Sequence, residues 1–244
     1  MAKVNRWLNN IQFCLFPGTC VICDKASYRQ LDLCLDCEAN LPRPASPCLC
    51  CGLPLRTGSY KGDICGRCIN KTPPYTRIIS AFNYAEPVNS LISAFKYADK
   101  LAYGRVLSEL LLQKLEVVYQ HRPLPDLLIP MPLHAKRVRE RGYNQALEIA
   151  RILGRNLDIP IDYQNFTRNR YTSPQEGLNI QQRRSNLHRA FTCRNNSISL
   201  PACVAIVDDV ITTTASIQSL CKILRKYGAE EIHAWSLARA LRKV

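Results

Sequence analysis

Four Cys-x-x-Cys pairs crowd the first 70 residues: Cys20/Cys23, Cys34/Cys37, Cys48/Cys51 and Cys65/Cys68. Two thiolates spaced this way turn inward on a tight knuckle and supply half of a tetrahedral zinc site, so two knuckles complete one. Eight ligands therefore make two structural Zn2+ sites of four cysteines each. Disulfides, redox chemistry or an iron–sulfur cluster would draw on the same residues, but the knuckle spacing favours zinc. Of thirteen cysteines, ten fall before residue 70. Cys14 and Cys50 lie off the pattern as spare thiols. Cys193, Cys203 and Cys221 sit in segments with sheet or helix patterning, where a small buried hydrophobe is expected. Residues 14 to 70 are rich in turns and too poor in apolar residues to fold without metal.

The remainder has a different texture. At 244 residues the chain can bury one core of ordinary size plus a small module. The expected divisions are an N-terminal segment with the double zinc module over 1–70, a linker over 71–77, and an α/β domain over 78–244. "PVNSLISAFKYADKLAYGRVLSELLLQKLEVVYQ" predicts two helices, "DLLIPMPL" a short strand, "NQALEIARILGRNL" an amphipathic helix and "EEIHAWSLAR" a final strand. This alternation points to a mostly parallel sheet flanked by helices. No apolar run approaches the roughly 20 residues of a membrane span. Asn9, Asn10 and Gln12 interrupt the first segment, so a cytoplasmic protein is expected.

"VAIVDDVITTTAS", Val204 to Ser216, concentrates chemistry at one point. Val204 to Val207 predict a buried parallel strand, and Ile217, Leu220, Ile223 and Leu224 a helix that ends near Gly228. Asp208 and Asp209, at the strand's carboxyl end, can accept from the vicinal hydroxyls of a sugar or help hold Mg2+ beside a diphosphate. Thr212, Thr213, Thr214, Ala215 and Ser216 place hydroxyls and backbone N–H groups at a helix N-terminus, a site for a phosphate monoester. Diol and 5′-phosphate together describe a ribose 5-phosphate. The acidic strand end would equally suit another metal-dependent fold, such as a receiver or phosphatase domain, or a plain helix cap.

Two basic stretches accompany it. "PMPLHAKRVRERGYNQ" presents Lys136, Arg137, Arg139 and Arg141 in a short loop after a strand, where arginine can grip polyphosphate with two donors; the alternative is a solvated cationic helix start. "RNRYTSPQEGLNIQQRRSNLHRAF" carries Arg168, Arg170, Gln175, Arg183 and Arg184 and is expected to form a mobile loop over a ligand.

Strand, acidic pair and Thr-Thr turn resemble the phosphoribosyltransferase fingerprint, a family that uses phosphoribosyl diphosphate with Mg2+. That fingerprint normally has glycine where this chain has Thr214. Glycine permits a positive φ and close backbone approach to phosphate; a β-branched residue strains there or forces a different turn. With the zinc knuckles and Pro-Leu-His-x-x-Arg-x-x-x-Arg-Gly-Tyr-Asn-Gln, the chain resembles the ComF family from about Phe16 to Arg239. The resemblance implies a phosphoribosyltransferase-type domain, phosphoribosyl diphosphate or a related nucleotide as ligand, and a role in DNA uptake or use, with the uptake machinery as a partner. Matching positions are Arg137, Arg141, Asn144, Gln145, Gln175, Arg183, Asn186, Asp208, Asp209, Thr212 and Thr213, with Asp208 and Asp209 as the catalytic pair. No cysteine follows Met1 to hydrolyse glutamine, and no base-reading hood is evident.

Charge locates the polyanion partner. Residues 1–70 hold eight Lys/Arg and five Asp/Glu; two Zn2+ and eight thiolates bring that +3 to about −1. The rest holds 25 against 14, or +11. Single-stranded DNA would therefore meet the second domain, through Arg139, Arg168, Arg170, Arg183 and Arg184 beside the ligand arginines. Tyr143, Phe166 and Tyr171 could stack on bases or serve as ordinary core aromatics. Two function classes remain: a transferase of phosphoribose, and a binding or regulatory protein that uses the same pocket.

Overall fold

A computed structural model describes residues 18–55, 60–61, 63–97, 100–169 and 190–241. The first module holds helix α1 (Leu35–Ala39), the two-residue strands β1 (Tyr60–Lys61) and β2 (Ile64–Cys65), and helix α2 (Gly66–Asn70). Then come β3 (Arg77–Asn83), α3 (Val88–Tyr97), α4 (Leu101–Tyr119), β4 (Leu127–Pro130), α5 (Ala135–Arg141) and α6 (Gln145–Leu157). A small hairpin of β5 (Phe166–Arg168) and β6 (Phe191–Cys193) precedes β7 (Cys203–Ile211), α7 (Ala215–Lys226) and β8 (Glu231–Arg239).

Strands β3, β8, β7 and β4 form one sheet in that order, every pairing parallel. Parallel strands need both faces covered, and the residue alternation of β7 shows how. Ala205 and Val207 join the cluster made by Ile92 and Phe95 of α3, Leu107, Leu110 and Leu111 of α4, and Ile149 and Leu153 of α6. Val204 and Ile206 join the opposite cluster with Ile217, Leu220 and Leu224 of α7 and with Phe166 and Phe191 of the hairpin. The helix-flanked, mostly parallel sheet expected from the sequence is the one found.

Two strand-level differences have simple causes. β7 runs four residues past Val207, because its backbone keeps pairing with β8 up to Ile211↔Arg239, so the acidic pair lies inside the strand, just past its midpoint. The basic segment after β4 is the helix α5 and not a loop: His134 caps it by accepting from the Lys136 N–H at 3.2 Å, and Gly142 closes it in the left-handed region at φ 78°.

The zinc module shares the core of the sheet domain. Leu31, Leu33 and Leu41 pack in the cluster of α3 and α4, and the Ile78 N–H donates to the Cys50 carbonyl at 2.9 Å. Tyr75 is buried just before β3, and the Thr76 N–H already donates to the Ile232 carbonyl at 2.8 Å.

Candidate functional site

The cysteine pairs converge in chain order. Cys20, Cys23, Cys34 and Cys37 form one cluster and Cys48, Cys51, Cys65 and Cys68 the other, the sulfurs of each within 4.8 Å of one another. Backbone donors already aim at sulfur: the Cys65 N–H lies 3.3 Å from Cys48 Sγ. Burial raises the Cys20 thiol, yet the amides of Cys34, Ile22 and Cys23 bring it down to about 6. Those of Cys65, Cys51 and Cys50 bring Cys48 down to about 7 in the same way. Burial and the neighbouring sulfurs push Cys37 and Cys68 up. Thiols this crowded ionise together only around a cation, and two tetrahedral all-sulfur Zn2+ sites fit them. Cys50 stands outside the second cluster, half-buried, while Cys14 falls outside the described residues.

The acidic pair sits at the carboxyl end of the sheet, where open α/β sheets bind ligands. Asp208 is paired in register with Ser236 of β8, and its Oδ1 accepts from the Asp209 N–H at 2.9 Å. Desolvation first, then the Asp209 carboxylate, push the Asp208 carboxyl up to about 8, against Lys96 and Arg168, which lower it. Asp209 is matched by Lys96 of α3, whose Nζ lies 2.9 Å from Oδ2 with both side chains under one-fifth exposed. Sequence periodicity hid Lys96, because a lysine near a helix C-terminus ordinarily serves the helix dipole.

Past the pair, the chain turns through Thr212 and Thr213, both exposed, into α7, with Ala215 and Ser216 in its first turn. Thr214 is left-handed, at φ 62°, ψ −1°. The turn thus keeps the conformation that glycine usually supplies, and Thr214 holds it by being buried and accepting from Gln218 Nε2 at 3.1 Å. Beneath it lies Arg239, 2% exposed. Its Nη1 donates to the Ile211 carbonyl at 2.6 Å and to that of Thr212, while its Nε donates to the Cys51 carbonyl at 3.1 Å. One buried guanidinium thus joins the second zinc knuckle to the turn. A lone charge ending the apolar run "HAWSLAR" was its sequence signal.

Of the predicted arginines, Arg168 of β5 comes within electrostatic reach of both Arg137 of α5 and Asp208. Arg141 donates to Tyr97 Oη at 3.0 Å and to Gln145 Oε1 at 3.1 Å, and its guanidinium stands 4.9 Å from the centre of the Tyr97 ring. Lys96, Tyr97, Glu140, Arg141 and Gly142 line a cleft of about 240 Å³ beside the Lys96–Asp209 pair. Arg139 is exposed on α5. Arg170, Tyr171, Gln175, Arg183, Arg184 and Asn186 lie outside the described residues. Tyr143 and Phe166 are core aromatics: Tyr143 packs on Phe95 at 5.7 Å and donates to its carbonyl, and Phe166 is 3% exposed. The exposed aromatic at the site is Tyr97, 73% accessible, which the sequence did not single out. Cys193 and Cys203 are half-buried rather than buried, since both lie at strand ends; Cys221 is buried as expected.

A pair of four-cysteine ribbon sites joined to a parallel α/β domain, with an acidic strand end running into a helix N-terminus, defines a zinc-ribbon protein with a helix-flanked parallel-sheet domain. Residues 11–69 match the double zinc ribbon domain family. The chain is 37% identical over 211 residues to Competence protein F of Haemophilus influenzae, covering 85% of this chain and 90% of that protein. It is 33% identical over 233 residues to DNA utilization protein YhgH of Salmonella typhi, covering 92% and 98%. Among solved structures it is similar to adenine phosphoribosyltransferase from Leishmania donovani (TM-score 0.38, 10% identity, 70% of this chain and 85% of that one). It is also similar to purine phosphoribosyltransferase from Pyrococcus horikoshii Ot3 (TM-score 0.34, 19% identity, 56% and 82%). The chain belongs to the ComF family, that of Competence protein F and YhgH. Among the described residues no helix is long and apolar enough to cross a membrane.

Proposed function

We propose that this protein binds phosphoribosyl diphosphate with Mg2+ at the carboxyl end of β7 and acts in DNA uptake or utilization, as its relatives are named. The observation that carries the binding proposal is the left-handed Thr214 behind an acidic pair: the turn keeps a phosphate-accepting shape although its residue is β-branched. Asp208 and Asp209 take the ribose diol or share the Mg2+, and the N–H groups of Thr213 to Ser216 take the 5′-phosphate at the start of α7. Arg137 and Arg168 flank the diphosphate, which leaves with the electron pair of its C1–O bond as an acceptor bonds to C1 and gives up a proton. Lys96 holds Asp209 Oδ2, so a bound Mg2+ would have to compete with it for that oxygen or use Oδ1.

A second reading is favoured by that same ion pair: a protein whose acidic pair is already neutralised binds a polyanion with its arginines and transfers nothing. Calorimetry of Mg2+–phosphoribosyl diphosphate against wild type and the Asp208→Ala/Asp209→Ala double variant separates the two. Saturable binding in wild type, lost at least tenfold in the variant, is expected. Equal heats from both proteins would leave the binding protein as the surviving reading.

A further inference from the structure

The sheet carries a second chemical cluster at its amino-terminal end. Cys203 opens β7 and Glu231 opens β8, and the two are direct partners across the parallel ladder. His233 lies two residues beyond Glu231 and so projects to the same face. One ligand atom from each of the three comes within 4.8 Å of the others. From Cys203 to Asp208 is five strand steps, about 16 Å, so this cluster is separate from the acidic pair.

Its construction is that of a held imidazole under an open rim. His233 is 3% exposed, and Tyr119 of α4 and Trp235 are buried beside it. The Tyr119 oxygen lies 2.5 Å from His233 Nδ1 and also accepts from Trp235 Nε1 at 3.1 Å. A proton on Nδ1 pointed at that oxygen leaves the Nε2 lone pair facing outward, the arrangement that orients metal-bound histidines elsewhere. Nε2 in turn faces the Glu231 carboxylate at 2.7 Å, whose side chain is 48% exposed and open to solvent. Of the neighbouring charges, Asp126 adds to the anionic side, and Arg77 and Arg122 oppose it. With two arginines present, attraction of a bare divalent charge is weak. Sulfur and nitrogen donors therefore select a thiolate-binding transition metal over Mg2+ or Ca2+.

We propose that Cys203 Sγ, Glu231 and His233 Nε2 form a third metal site, for an exchangeable divalent transition metal of the zinc class, with water completing the coordination. Three protein ligands and a solvent-facing side are the plan of an open site, in contrast to the closed ribbon sites. On binding, the thiol proton leaves to solvent, the imidazole proton moves from Nε2, where it bonds Glu231, to Nδ1, where it bonds the Tyr119 oxygen, and the Glu231–His233 hydrogen bond is replaced by two metal–ligand bonds.

The test uses the full chain with both ribbons zinc-loaded, titrated with Co2+ alone. One further equivalent should bind, with thiolate-to-cobalt absorption in the near ultraviolet. Cys203→Ala should abolish the band, and the half-exposed Glu231→Gln, which spares the buried packing, should weaken binding at least about tenfold. Asp208→Asn should leave it intact. Absorption that persists in Cys203→Ala would come from cobalt exchanged into the ribbons and would overturn the proposal. So would absence of uptake in wild type, leaving His233 and Glu231 as a simple hydrogen-bonded pair.

Discussion

Asp208 stores most of the site's electrostatic tension. Its folded carboxyl titrates near 8 against 3.8 for the free group, chiefly because it is desolvated and next to Asp209. Between about pH 4 and pH 8 the unfolded chain therefore loses this proton before the folded one does, so stability falls as pH rises through that window. Asp208→Asn should remove this slope, giving a variant more stable than wild type at pH 8 and equal to it near pH 4 in denaturant titrations. A variant that loses stability at both pH values would refute the assignment. Thr214 carries a different strain. A β-branched residue at φ 62° costs about 1 kcal/mol or more. Thr214→Gly relieves that strain but gives up the hydrogen bond from Gln218, whereas Thr214→Val keeps the strain and gives up the same bond. The glycine variant should thus be the more stable by about 1 kcal/mol or more in chemical denaturation, and equal midpoints would show an unstrained turn.

At the scale of elements, the two ribbons have unequal consequences. Zinc-ribbon metal supplies folding energy directly, roughly 10–16 kcal/mol in small zinc peptides, so Cys34→Ser and Cys65→Ser should each lose one of two tightly held zinc ions by metal analysis. Among the described residues it is the second ribbon that reaches the turn before α7, through the Cys51 carbonyl and Arg239. Cys65→Ser should therefore weaken binding of phosphoribosyl diphosphate more than Cys34→Ser does; the reverse order would break the proposed link. The knuckle spacing was legible because two-residue cysteine pairs have few other uses, and the helices because apolar residues recur every three to four positions. α5 was not, since "AKRVRER" has too little apolar pattern to distinguish a helix from a cationic loop.

For the whole molecule, charge decides how nucleic acid would meet it. The positive excess lies beyond residue 70; of it, Arg168 stands near Asp208 with Arg137 beside it, and Arg141 lines the cleft next to Lys96. Single-stranded DNA should bind weakly and without sequence preference, with a log–log salt slope of about −0.7 per phosphate neutralised. Phosphoribosyl diphosphate should compete with it or change its affinity, and the effect must be reciprocal. Fluorescence anisotropy on the full chain across a salt series checks this, with Arg139→Glu expected to lower affinity and reduce the slope by about one phosphate. Affinity indifferent to salt or to Arg139 would move the contact to another face. Truncating the ribbons is a poor substitute, because Leu31, Leu33 and Leu41 belong to the core of the remaining domain.

The sequence by itself determined the two zinc sites, the helix-flanked parallel sheet and the acidic strand end leading into a helix. Each of these is written in local spacing, and local spacing survives without a fold. Tertiary structure alone decided which cysteine pairs share a metal, that Lys96 neutralises Asp209, that Arg239 ties a zinc knuckle to the turn, and that Cys203 meets His233. Those contacts join residues up to 188 positions apart. Their partners are fixed by strand order and by which face of the sheet each helix covers, and neither is encoded in any short stretch of chain.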